Sequence, residues 1–296
     1  MQTRVYKTKE LSEKMLNRSL EEARDFEKKH GRKPSLAVVL VGEDPASAIY
    51  VKKKEETCKQ YGLDARDFRM NPAEGFGELL KLVHKLNVDN SVDGILVQSP
   101  LPKGWDERLV QSTIDPLKDV DGFHPLNAGH LLIDAREALA KGLPPCTPAG
   151  VMEILAEEKI DIAGKRAVVI GRSTIVGKPM AQMLQAMDAT VTVAHSRTKD
   201  LAALCREADI LVAAIGKARF VTKDFVKPGA VVIDVGINRE IVDGKSKVVG
   251  DVDAASVTGV ASFLTPVPNG VGPMTITLLI RNTLRAARKR QASMQV

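Results

Sequence analysis

The stretch Val168-Val169-Ile170-Gly171-Arg172-Ser173-Thr174-Ile175-Val176-Gly177-Lys178-Pro179-Met180 decides the fold. Apolar residues end a strand, Gly171 opens a turn, and a helix starts near Pro179. That succession is where α/β proteins hold a phosphate, on backbone amides at a helix N-terminus. The spacing departs from the common dinucleotide fingerprint. Ser173 stands where the second glycine belongs, and Gly177 comes one residue later than the third. The loop is therefore either a nucleotide site of unusual form or an ordinary strand-to-helix turn.

The following segments favour a nucleotide. Thr190 to Ala194 reads as the next strand and runs into His195-Ser196-Arg197, where a Rossmann-type unit meets the adenosine ribose. No acid stands there to bind a free 2′-hydroxyl. Ser196 and Arg197, helped by Arg172, suit a 2′-phosphate, so the expected cofactor is NADP rather than NAD. Gly171, Arg172, Ser173 and Gly177 supply the phosphate loop. Val231 to Val235 is a further strand, and main-chain groups near Ile237 are expected to meet the nicotinamide. Ala213-Ala214-Ile215-Gly216 is a strand end whose small residues admit a ligand close to the backbone.

Upstream, the same alternation occurs once more. Helix is expected from Leu11 to His30, Ser47 to Tyr61 and Gly75 to Asn87, and strand at Pro34 to Val41, Ala65 to Met70 and Gly94 to Gln98. Strands separated by helices imply parallel pairing through crossovers. Leu101 to Ala138 is turn-rich, and Pro144-Pro145-Cys146-Thr147-Pro148 marks a transition between domains. The expected fold class is α/β, with two α/β domains flanking a cleft. Residues 1–145 form the first domain, and residues 146–273 the second, a Rossmann-like NADP-binding domain. The C-terminal helix, residues 274–296, returns to pack on the first.

Composition removes other classes. The 296 residues include no apolar run of membrane-spanning length, and the charged N-terminus lacks a secretory core. Three scattered cysteines, Cys58, Cys146 and Cys205, suit a reducing compartment, so a cytoplasmic protein is expected. The net charge of +6 raises the question of nucleic acid, but aromatics are 4% and do not interleave with the basic runs. An anionic small molecule fits such a field better, and neither nucleic acid nor membrane is an expected partner. His124, His130 and His195 show no ligand spacing, so no metal is expected.

Four residues of the first half stand out as chemistry. Tyr50 and Lys54 are four apart on an expected helix and share a face. A lysine in a partly dry site can approach neutrality and move protons, although a run such as Lys52-Lys53-Lys54 is most often solvated. Gln98 ends an apolar strand, with Ser99-Pro100 directly after it; it is either a ligand contact or a loop cap. Asp121, in Lys118-Asp119-Val120-Asp121-Gly122, is either an acceptor for a flat heterocycle with adjacent N–H groups or an Asx turn.

Together these stretches resemble the bifunctional methylenetetrahydrofolate dehydrogenase/methenyltetrahydrofolate cyclohydrolase family. The matching pieces are Ser47-Ala48-Ile49-Tyr50-Val51-Lys52-Lys53-Lys54, Asp93-Gly94-Ile95-Leu96-Val97-Gln98, Lys118 to Gly122, Pro145 to Pro148, Gly171 to Pro179, and Pro266 to Thr275, in order along almost the whole chain. The resemblance implies a homodimer joined through its nucleotide-binding domains. It implies oxidation of 5,10-methylenetetrahydrofolate with NADP, then hydrolysis of the methenyl product to 10-formyltetrahydrofolate in the same cleft, within one-carbon metabolism and purine biosynthesis. Lys54 would match the catalytic lysine, Tyr50 the active-site tyrosine, and Gln98 the glutamine that tunes the lysine. Asp121 would grip the pterin, with Pro100, Gly272, Pro273 and Thr275 along the folate. Gly171, Arg172, Ser173, Ser196 and Ile237 would meet the cofactor. Lys52 and Lys53 could attract the anionic, polyglutamylated tail. One position departs: the family usually has Gly where this chain has Asn269, a residue that tolerates left-handed backbone better than most. A dehydrogenase that has lost most cyclohydrolase activity and a non-catalytic folate- or nucleotide-binding subunit are the rival readings.

Overall fold

The computed structural model describes residues 2–242 and 245–293. The chain divides into two compact units. One gathers the N-terminus up to Ser12, Asp134–Arg136 and Thr147–Thr275; the other gathers Glu13–Ile133, Glu137–Cys146 and the chain from Ile276 onward. The chain thus changes unit more often than boundaries at 145 and 273 provide for.

The unit that carries Lys54 is built on a three-stranded parallel sheet, ordered Asp64–Met70, Ser35–Val41, Gly94–Val97. Its central strand is buried at every position. Both faces are covered, so the run Leu36 to Val41 is apolar without alternation. The helix Pro45–Gln60 crosses from Ser35–Val41 to Asp64–Met70, and Phe76–Val88 crosses on to Gly94–Val97. Pro45 sits in the first turn of its helix, where a missing N–H is harmless, and Asp44 accepts from the Ser47 amide at 2.7 Å.

The segment read as turn-rich holds three short helices, Glu107–Thr113, Pro125–Ile133 and Ala135–Lys141. Two turns of helix carry too little periodicity to separate from loop. The C-terminal helix, Val271–Ser293, begins three residues before Met274 and takes Pro273 into its first turn. Asn282 Nδ2 donates to the carbonyls of Val120 and Pro144, both at 2.9 Å. Arg290 Nη1 donates to the buried Asp93 carboxylate at 3.0 Å. These bonds tie the helix into the Lys54 unit.

The other unit is a six-stranded, wholly parallel sheet, ordered Arg4–Val5, Phe263–Leu264, Val231–Asp234, Ile210–Ala213, Arg166–Ile170, Thr190–Ala194. From Arg166–Ile170 the chain moves outward to Thr190–Ala194, then returns past its start to Ile210–Ala213. That reversal is the switch point at which doubly wound sheets open a crevice for ligand. The unit is Rossmann-like, as expected. Two features lie outside the sequence reading: the strand Arg4–Val5, and an antiparallel hairpin of Asn238–Val242 with Lys245–Val249.

Candidate active site

The helix Pro45–Gln60 separates three consecutive lysines by geometry. Lys52 and Lys53 are exposed, whereas Lys54, one turn on from Tyr50, is 5% exposed. Lys54 Nζ donates to Gln98 Oε1 at 3.0 Å and lies 4.6 Å from the Tyr50 ring centre. Gln98 Nε2 donates in turn to the Ser99 carbonyl at 2.6 Å. Glu107 holds the loop beyond, accepting from the Leu101 amide at 2.9 Å. Pro100 is exposed on that loop. Burial holds the Lys54 ammonium below its ordinary range, and the nearby Asp121 carboxylate opposes the shift.

The two acids of the Asp119-Val120-Asp121-Gly122 turn have different jobs. Asp119 is buried and accepts from the amides of Gly122, Phe123 and His124 and from Asn127 Nδ2, at 2.8–3.2 Å. It builds the turn. Gly122, with φ +75°, packs so closely that a Cβ would meet the Pro144–Pro145 peptide. Asp121 is half-buried and lines a small cavity of about 20 Å³ with Ser99, Leu101 and Phe123. Among the described residues its carboxylate accepts no hydrogen bond. Burial pushes its pKa up to about 6, with Lys54 pulling the other way. Such a carboxylate is an acceptor held ready for an outside donor.

At the switch point of the six-stranded sheet lies an open groove of about 500 Å³. Gly171, Arg172, Ser173 and Ser196 line it, joined by His195 and Lys217, which the sequence reading did not assign to the cofactor. Arg197, Gly177 and Ile237 do not line it. Gly177 has a packing role instead: a Cβ there would strike the Gly171 carbonyl oxygen. Ser173 Oγ accepts from the amides of Val176 and Gly177 at 3.2 and 3.3 Å, which shapes the turn and leaves its hydroxyl proton for another acceptor. Ile237 is exposed at the end of the strand Val231–Asp234. Thr275 Oγ1 lies 3.0 Å from Thr147 Oγ1, and Gly272 and Pro273 stand in the first turn of the same helix.

Among the described residues no group of three or more His, Cys, Asp or Glu is placed to hold a metal ion. No described helix is long and apolar enough to cross a membrane.

Two family descriptions match this chain: "Tetrahydrofolate dehydrogenase/cyclohydrolase, catalytic domain" over residues 6–121, and the corresponding "NAD(P)-binding domain" over residues 145–291. This chain belongs to the tetrahydrofolate dehydrogenase/cyclohydrolase family. Among its relatives is the "Bifunctional protein FolD" of Acetivibrio thermocellus, 52% identical over 295 residues and the full length of both chains. The protein of the same description from Zymomonas mobilis is 53% identical over 95% of each. The FolD crystal structure from Campylobacter jejuni superposes with a TM-score of 0.90 at 44% identity, over 96% of this chain and 98% of its own. The Trypanosoma brucei enzyme, solved with NADP and an inhibitor, gives 0.93 at 34% identity, over 98% and 99%. The chain is thus one of a family of bifunctional dehydrogenase/cyclohydrolase enzymes, and its fold is that of the family's solved members.

Asn269, the departure from the family pattern, has φ +78°. The left-handed turn is kept, and its carbonyl accepts from the Thr8 amide at 3.0 Å. Sequence reasoning missed two buried acids beside the groove. Asp251 accepts from the amides of Ile215, Gly216 and Lys217, and Asp234 from those of Gly236, Asp251 and Val252. Burial raises Asp234 to about 7, against the pull of those backbone donors. Nothing in composition separates such acids from solvated ones.

Proposed function

We propose that this chain oxidises 5,10-methylenetetrahydrofolate with NADP and hydrolyses the methenyl product to 10-formyltetrahydrofolate, a one-carbon donor for biosyntheses such as that of purines. The observation that carries the reading is the buried Lys54, bonded to Gln98 and set against Tyr50, with the Asp121 carboxylate acting on it electrostatically. Such an arrangement suits proton transfer beside a bound heterocycle better than it suits simple binding.

The donor set of the groove fits a dinucleotide. Gly171 lets the chain turn at the strand end, Ser173 keeps a donor for a phosphate, and Arg172, Lys217 and Ser196 supply charge and hydroxyl for a 2′-phosphate. Ile237 supports the nicotinamide side. When bound, NADP supplies the hydride acceptor. For oxidation the chain need only orient the folate, because the folate nitrogens stabilise the amidinium-like product and no strong base is required. Asp121 accepts from adjacent pterin N–H groups, Tyr50 offers its ring face, and Pro100, Gly272, Pro273 and Thr275 complete the folate contacts.

Hydrolysis requires water to add to the methenyl carbon and a proton to reach the ring nitrogen as the carbon–nitrogen bond opens. Lys54 takes one proton from the attacking water and delivers it to the leaving nitrogen; the second water proton is released to solvent as the formyl C=O forms, which turns the methenyl cation into the neutral product. The cationic substrate itself disfavours a second positive charge, which lowers the lysine pKa further when substrate is bound. Exposed Lys52 and Lys53 draw in the anionic tail of a polyglutamylated folate.

Pairing of two copies through the nucleotide-binding unit accompanies this reading. The edge strand Thr190–Ala194 leaves Thr192 and Val193 exposed, and the hairpin of Asn238–Val242 with Lys245–Val249 exposes Ile241 and Val248. Exposed edges of this kind are normally covered. Three free buried thiols suit a cytoplasmic setting.

A spectroscopic assay with methylenetetrahydrofolate tests the proposal, comparing NADP with NAD while following methenyl formation and decay. Expected are NADP reduction and loss of the methenyl band. Reduction with lasting methenyl build-up would leave a dehydrogenase alone, and no turnover with either cofactor would leave a binding subunit.

A further inference from the structure

We propose that Asp251 is a positioning residue for the dinucleotide: its buried carboxylate fixes the wall of the groove and, through Asn238, the strand end that presents Ile237. The inference rests on the dinucleotide reading above and adds a residue that touches no ligand.

The geometry is that of an anion site filled from within. Three successive amides, of Ile215, Gly216 and Lys217, follow the strand Ile210–Ala213 and point at one carboxylate. Asp251 Oδ2 accepts from Ile215 and Gly216 at 2.6 and 2.9 Å, and Oδ1 accepts from Lys217 at 2.9 Å. Gly216, with φ +71°, makes the concavity possible. Two of these three residues, Ile215 and Lys217, line the groove.

The fourth donor comes from the first residue of the hairpin strand Asn238–Val242. Asn238 Nδ2 donates to Asp251 Oδ1 at 2.9 Å. Asn238 directly follows Ile237, which is flanked on its other side by Gly236. The Gly236 amide is held by Asp234 Oδ1 at 2.9 Å, and Asp234 also holds the backbone amides of Asp251 and Val252 at 2.9 and 3.0 Å. Glycine walls both acids: a Cβ at Gly236 would strike the Asp251 carboxylate, and one at Gly250 the Asp234 carboxylate. Asp251 therefore ties the segment after the strand Ile210–Ala213 to the start of the hairpin through its carboxylate, and to Asp234 at the carboxyl end of the adjacent strand through its amide, at the edge of a parallel sheet where ligand is held.

Only a carboxylate does this. It presents four lone-pair sites and no donor, matched to four N–H groups. Asparagine at the same place would turn an amide N–H toward a backbone N–H and release one side of the loop.

The test is Asp251→Asn, read three ways on one preparation. NADPH binding is followed by its fluorescence, dehydrogenation by NADP reduction, and hydrolysis by decay of methenyltetrahydrofolate with no dinucleotide present. Expected is a rise of about tenfold or more in both the NADPH Kd and the KM for NADP, with hydrolysis within about twofold of wild type. Unchanged NADPH binding overturns the proposal, as does an equal fall in both activities, which marks a general structural role. If Asp251→Asn does not fold, Asn238→Ala decides: it removes one donor from a half-buried position and leaves the three amide bonds. A loss of several-fold in NADPH affinity supports the coupling, and no loss overturns it. Failure of the functional reading looks different, because wild type would then bind no NADPH.

Discussion

Lys54 Nζ donates to Gln98 Oε1 at 3.0 Å, and both groups belong to elements fixed by the same three-stranded sheet. Burial lowers the lysine pKa and Asp121 opposes the fall; a hydrogen-bond acceptor such as the glutamine oxygen favours the charged form, so Gln98 should act in the same direction as Asp121. Replacing Lys54 with Met should cut methenyl hydrolysis by about 10²- to 10⁴-fold, the span of general acid–base catalysis. Dehydrogenation should fall much less. Gln98→Leu should move the rising limb of the hydrolysis pH profile to lower pH, because the ammonium loses an acceptor and stays buried. A limb that moves upward or holds its place would refute the tuning role.

Asp121 makes a prediction about both pH and stability. Its pKa is raised from 3.8 to about 6 by burial. Between those values the folded protein keeps a proton that the unfolded chain has lost, so stability falls as pH rises through that window. Asp121→Asn should therefore gain about 1 kcal/mol over wild type at pH 8 and almost nothing at pH 4, since loss of the Lys54 partner offsets part of the full effect. Urea denaturation at the two pH values measures this. The same variant should bind folate at least about tenfold more weakly, because an amide cannot accept from two adjacent N–H groups. In wild type, folate affinity should decline as pH drops through about 6.

Much of this was legible in the sequence, and the gaps have physical causes. The Gly171 loop, the parallel strands and the long helices carry strong local periodicity, so the fold class follows from them. Lys54 could be singled out from Lys52 and Lys53 by its four-residue spacing from Tyr50, but only packing reveals that it alone is buried. Asp119 and Asp121 are indistinguishable as letters; the loop folds its amides onto Asp119 and leaves Asp121 without them. The strand Arg4–Val5 is two exposed residues whose partner lies some 260 residues away, which no local pattern encodes. Asp234 and Asp251 left no sign, because their role depends on donors brought from three separate segments.

Cofactor choice separates the two arginines. Arg172 lines the groove and Arg197 does not. Arg172→Ala should raise the KM for NADP about tenfold or more and change that for NAD little, since a charge-assisted phosphate contact is lost only where the 2′-phosphate exists. Arg197→Ala should have a clearly smaller effect, acting through the general field of the site. Steady-state kinetics with both cofactors measures the ratio. Equal losses for NADP and NAD in Arg172→Ala would place that arginine on the shared pyrophosphate instead.

The turn at Asn269, where the resemblance leads one to expect glycine, tests how well asparagine holds a left-handed backbone. Its φ of +78° is a conformation that glycine adopts without strain and asparagine with little. Thr8 pins the turn from outside: its amide donates to the Asn269 carbonyl at 3.0 Å and its hydroxyl to the Gly270 carbonyl at 2.6 Å. In Asn269→Gly the relief of strain and the added freedom of the unfolded chain act in opposite directions. The net change in stability should stay within about 1 kcal/mol. Both Thr8 bonds use backbone carbonyls and survive the substitution, so the turn should keep its shape. The folate KM and the ratio of the two activities should then remain within about twofold of wild type. A larger shift in KM with unchanged stability would mean that the Asn269 side chain itself meets the substrate, and denaturant midpoints alongside steady-state kinetics distinguish the two outcomes.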